Sequence, residues 1–130
     1  MSRLKAAALV FVFVWFFVGG IAHFVLTETE MRIVPPYVPW SFAVVLVTGV
    51  FELLGAAGLL VRSTRAMAGM GLFLLTIAVT PANVYMLQHA ETFKIPMWVL
   101  VMRLPLQLAL LALIAWSTGP WRMWRKYARN

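Results

Sequence analysis

Four runs of about 20 apolar residues, each bounded by charges, prolines or turn residues, decide what this 130-residue chain can become. A helix needs roughly 20 predominantly apolar residues to cross about 30 Å of hydrocarbon. The runs lie at about Ala6–Leu26, Trp40–Val61, Ala66–Leu87 and Met97–Trp116. The two tails and three connections that remain are too short for a soluble domain. Composition agrees, since 63% of the residues are apolar and only 12% charged, and a soluble domain this small would leave much of that surface in water. The expected fold is all-α: an integral membrane four-helix bundle, one domain over residues 1–130. Disorder and fibre architectures are excluded. The first run is longer than the apolar stretch of a signal peptide, about 7–15 residues, and ends on a poor cleavage site at Gly19–Phe24. It is therefore read as a retained helix.

The formal net charge of +7 is explained by where the basic residues sit. Arg3 and Lys5 precede the first run, Arg62 and Arg65 join the second to the third, and Arg122, Arg125, Lys126 and Arg129 follow the fourth. These eight share one side; the other carries Arg32 and Lys94 beside Glu28, Glu30 and Glu91. Positive residues in short loops stay in the cytoplasm, so both termini are expected there, in the cytoplasmic (inner) membrane of a bacterium. Trp121, Arg122, Trp124, Arg125 and Lys126 read as an interface anchor against anionic headgroups. With the charge so explained, nucleic acid is not an expected partner; the lipid bilayer is. The four-residue link Arg62–Arg65 makes the second and third helices antiparallel neighbours. The first connection is longer, and Pro35, Pro36 and Pro39 make its end stiff and extended. The chain has no cysteine, which removes disulfides, thiolate metal sites and thiol relays.

Ionisable groups inside a bilayer cost roughly 2.5–3.5 kcal/mol each on insertion scales, so those present face the bundle and are functional candidates. Glu52 lies mid-way along the second run, with Thr48, Gly49, Gly55 and Ala56 on the same small face. Its plainer reading is a protonated carboxyl bonding a neighbouring helix. Arg103 and Gln107 share a face of the fourth helix, and arginine keeps its charge, so Arg103 needs an acceptor. Glu52 is one candidate, the headgroup or water boundary another. Glu52 is about 18 Å from the outer end of its helix and Arg103 about 9 Å from its own, so a direct pair and a water or ligand bridge stay open. Thr76, Thr80 and Asn83 share a face of the third helix, where Pro81 frees the carbonyl of Ile77; Pro105 does the same to Val101. His23, near the outer end of the first helix, reads first as an interfacial or helix-bonding residue and second as a proton carrier or ligand. His23 and His89 give no metal-ligand spacing. The set His23, Thr48, Glu52, Thr80, Asn83, Arg103 and Gln107 describes either an outward-facing ligand cavity or a buried network that holds the helices together.

All of these residues but Thr80 fall within five words: Gly20-Ile21-Ala22-His23-Phe24, Pro35-Pro36-Tyr37-Val38-Pro39, Thr48-Gly49-Val50-Phe51-Glu52-Leu53-Leu54-Gly55, Pro81-Ala82-Asn83-Val84-Tyr85-Met86 and Arg103-Leu104-Pro105-Leu106-Gln107. In them, and in their order over nearly the whole chain, the sequence resembles the DoxX-like family of small four-helix membrane proteins. The resemblance implies that fold and those polar positions. It also implies a role beside quinone-linked sulfur oxidation, redox-stress assemblies or complex assembly, although this chain lacks the cysteines of a thiol-based variant. Three functions follow, in order of expectation. The first is a non-catalytic accessory subunit or assembly factor with a protein partner in a membrane complex. The second is a quinone-linked redox component or lipid-type enzyme binding an amphiphile, quinone or lipid, between Glu52 and Arg103. The third is a transporter or proton pathway, which needs a homo-oligomer because four helices are few. The lack of a catalytic constellation leans against an enzyme.

Overall fold

The computed structural model of the protein describes residues 2–93 and 95–119. Seven helical segments lie among them: α1 (Arg3–Val25), α2 (Thr27–Ile33), α3 (Ser41–Leu60), α4 (Arg65–Ala78), α5 (Thr80–Gln88), α6 (Ala90–Phe93) and α7 (Met97–Thr118). No strand occurs among the described residues. Four spans are long and apolar enough to cross a membrane: α1, α3, α4 with α5 (Arg65–Gln88), and α7. The segment Trp121–Lys126, expected to anchor the chain at the interface, lies outside the described residues.

The ends of the spans follow from local chemistry. The Ser2 side chain accepts from the Lys5 amide and caps α1, satisfying one of the donors a helix start leaves free. At the end of α3, Thr64 Oγ1 donates to the Gly58 carbonyl at 2.8 Å and Arg65 Nε donates to the Leu59 carbonyl at 2.9 Å. Two residues of the short link thus take up carbonyls that the helix cannot satisfy itself. Helix α7 starts after Pro96 and stops at Gly119, whose φ of 60° is the left-handed C-terminal turn that glycine adopts without a Cβ penalty.

Helix α1 packs on α3 and α7, and α4 packs on the same two, closing a ring in the order α1, α3, α4, α7. The hydrophobic core cluster lies toward the end where α1 begins and α7 finishes, called here the tail end. There Val12 and Phe16 meet Ala56, Leu59, Leu72, Leu110 and Ile114. Outward faces remain apolar, with Leu54, Met67 and Leu108 more than 60% exposed; that is the surface a bilayer covers. Because lipid provides no hydrophobic drive between helices, close approach of backbones has to hold them. A Cβ on Gly49 of α3 would stand 2.7 Å from His23 Cβ of α1, and one on Gly69 of α4 would overlap the Thr118 side chain of α7.

At the opposite, distal end the chain departs from expectation twice. The first connection holds α2, which the sequence reading passed over. Glu28 and Glu30 lie in its first turn and Arg32 in its last, charges that suit the helix dipole at each end. Pro35 stops it, holding Val34 in an extended conformation. The segment expected to run stiff and extended turns back instead, the Val38 amide donating to the Pro35 carbonyl at 2.9 Å. The second departure is a break in the third span at Val79, two residues before Pro81.

Candidate functional site

The distal half of the ring is hollow. A cavity of about 960 Å³ lies between α1, α3, α4 with α5, and α7. Helix α2, packed on α1, α3 and α5, and the segment 34–38 roof it over. Its walls are mostly apolar, among them Trp15, Phe16 and Val18 of α1 and Leu106 and Leu110 of α7. Polar groups gather at two poles.

The first pole lies on α1, α2 and α3. His23 Nδ1 is 2.7 Å from the Val45 carbonyl oxygen, with the Thr48 hydroxyl oxygen 3.1 Å from the same nitrogen. A carbonyl only accepts, so Nδ1 carries the hydrogen and donates it there. Thr48 in turn donates to the carbonyls of Val44 and Val45. The other ring nitrogen, Nε2, is left facing two carboxylates: Glu52 Oε1 at 3.6 Å and Glu30 Oε2 at 4.0 Å. Gly19 faces Glu52 from α1, where a Cβ would stand 3.1 Å from Oε2. That oxygen is buried and has no hydrogen-bond partner among the described residues, a costly state for an acceptor and one that a donor from a ligand or water would relieve.

The second pole is built on the break in the third span. The Thr76 carbonyl accepts from Gln107 Nε2 at 3.1 Å and from Thr80 Oγ1 at 3.3 Å. Gln107 Nε2 also donates to Thr80 Oγ1, and Gln107 Oε1 accepts from Asn83 Nδ2. A single side chain of α7 therefore stitches α4 to α5. The sequence reading named the carbonyl of Ile77 as the one freed by Pro81; the polar side chains take that of Thr76 instead, because the helix gives way at Val79.

Of the residues picked from sequence, His23, Thr48, Glu52, Asn83, Arg103 and Gln107 all line the cavity. Thr80 is joined to them through Gln107. The direct Glu52–Arg103 pair does not form: the Glu52 carboxyl lies 3.6 Å from His23 Nε2, and among the described residues no carboxylate lies within ion-pair distance of Arg103. Its Nη1 donates to Met86 Sδ at 3.6 Å, and a thioether is a weak acceptor. Glu30 was missed. It had been read as a loop acid on the outer side, and only the folding of α2 over the mouth turns it inward. No trio of His, Asp or Glu among the described residues is arranged to hold a metal ion.

Residues 3–119 match the family described as a domain of unknown function (DUF8561). No curated protein and no solved structure matches the chain.

Proposed function

The chain belongs to that family, whose description names no activity, and from its own chemistry we propose that it is a membrane-embedded binding protein for an amphiphile of the quinone or lipid class. It acts as a non-catalytic, DoxX-like accessory component of a membrane or redox assembly in the bacterial cytoplasmic membrane, with both termini in the cytoplasm. The observation that carries this reading is the cavity itself. At about 960 Å³ it falls within the usual size of small-molecule sites, roughly 300–1,000 Å³, and like them it is largely apolar with a few convergent polar groups. The expected ligand places an acceptor, a carbonyl or phosphoryl oxygen, against Arg103, whose side-chain partner among the described residues is the sulfur of Met86. Its chain runs along the apolar walls.

Native mass spectrometry and organic extraction of the detergent-purified protein test this. A quinone or lipid should co-purify, and Arg103→Ala should reduce its retention about tenfold or more, the effect of losing a charged hydrogen bond. A wild-type protein that retains nothing, and that takes up neither added decylubiquinone nor added phospholipid, would overturn the proposal.

A further inference from the structure

Glu52 is the deepest acid of the cavity, and the groups around it do more than accommodate a ligand. We propose that Glu52, His23 and Glu30 form a proton relay that connects the interior of the bundle to its distal surface. Three features carry the inference. The ring of His23 is pinned at one nitrogen only: Nδ1 gives its hydrogen to the Val45 carbonyl, which leaves Nε2 as the nitrogen that exchanges protons. Among the described residues, that nitrogen lies within ion-pair distance of two carboxylates, Glu52 of α3 at 3.6 Å and Glu30 of α2 at 4.0 Å; Thr48 lies on its Nδ1 side, and Arg103 stands on α7 in the same cavity. The two carboxylates differ in depth, for the Glu52 side chain is 12% exposed and that of Glu30 is 25% exposed.

The transfer balances without any other reactant. A protonated Glu52 carboxyl passes its hydrogen to the lone pair of Nε2, leaving a carboxylate and an imidazolium that donates from both nitrogens. The imidazolium then releases the Nε2 proton to the Glu30 carboxylate, which exchanges it with water at the roof. The reverse sequence loads Glu52. Both gaps exceed a hydrogen bond, so the ring serves the two carboxylates in turn rather than both at once. Gly19 and Gly49 keep the space in which this happens, since a Cβ at either would press on Glu52 or on His23.

The relay stands apart from the binding of an amphiphile, and its test uses lipid-stripped protein reconstituted in nanodiscs. Infrared spectroscopy after transfer to D2O reads the deuterium shift of the protonated-carboxyl band that Glu52→Gln abolishes. Replacing His23 by Asn keeps a donor for the Val45 carbonyl but cannot accept a proton, and Glu30→Gln closes the outlet. Each is expected to slow the shift about a hundredfold, the scale of a positioned acid–base group. A wild-type rate in either variant overturns the relay, as does the absence of a Glu52 carboxyl band from the folded protein at every pH. Where His23→Asn does not fold, the near-isosteric Glu30→Gln decides alone. A protein that binds no amphiphile but shows the slowed exchange loses the ligand reading and keeps the relay.

Discussion

Gly49 sits where α3 crosses α1, and its missing side chain is what lets His23 reach the Val45 carbonyl. A Cβ there would meet His23 Cβ at 2.7 Å and the Phe24 ring at 3.1 Å, and the first of these, fixed to the backbone, cannot swing aside without moving α1. Gly49→Ala should therefore cost about 1–3 kcal/mol, as overpacking at a close contact does. It should also loosen the histidine from its carbonyl. Gly71, on the exposed side of α4, makes the opposite case, since a Cβ there would meet nothing within 4 Å. Gly71→Ala removes only the flexibility of glycine in a helix and should stabilise by about 0.5–1 kcal/mol. Thermal unfolding in detergent separates the two, and equal effects from both would contradict the contact at Gly49.

Among the helices, the broken third span carries the site. A continuous helix from Arg65 to Gln88 would free the Ile77 carbonyl opposite Pro81 and keep that of Thr76 in its own ladder, away from Gln107. The break at Val79 instead turns the Thr76 carbonyl toward α7, where Gln107 takes it together with Thr80 and Asn83. Gln107→Leu leaves the Asn83 amide without its acceptor and the Thr76 carbonyl with the Thr80 hydroxyl in place of two donors, and groups left unsatisfied in this way cost about 1–3 kcal/mol. The variant should lose stability by that amount and retain less amphiphile than the wild type; unchanged thermal unfolding would show that α5 is held by other means. Much of this was legible in sequence, because the spacing of Thr76, Thr80 and Asn83 puts them on one face, and Gln107 four residues after Arg103 shares another. The pairing across the ring was not legible, since it depends on where a proline-weakened helix yields, and that is decided by packing against α7. The partner of Glu52 was misplaced for a similar reason. Axial distance measured along single helices kept Arg103 in view, whereas His23 arrives from α1 by a glycine-mediated crossing that no spacing rule encodes. Glu30 was invisible as a site residue because seven residues of a connection fold into α2.

For the whole molecule, the compartment that the roof faces is the one with which the proposed relay exchanges protons through Glu30. The ring order brings the start of α1, the end of α7 and the α3–α4 link to the tail end, and α2 with the cavity to the distal end. The tail end bears Arg3, Lys5, Arg62 and Arg65, while α2 carries Glu28 and Glu30 around a single Arg32. In the proposed topology, in which positive loops are retained, the tail end faces the cytoplasm and the roof faces outward. The absence of cysteine from the chain makes this directly measurable, as any introduced thiol is the only one. Ser63 in the α3–α4 link and Glu28 on α2 are both exposed, so replacement by cysteine should leave the fold intact. In intact cells a membrane-impermeant maleimide should label Glu28→Cys and spare Ser63→Cys, and detergent permeabilisation should open both to the reagent. The reverse pattern would turn the roof, and with it the outlet of Glu30, toward the cytoplasm, and labelling of both before permeabilisation would break the four-span topology on which the cavity depends.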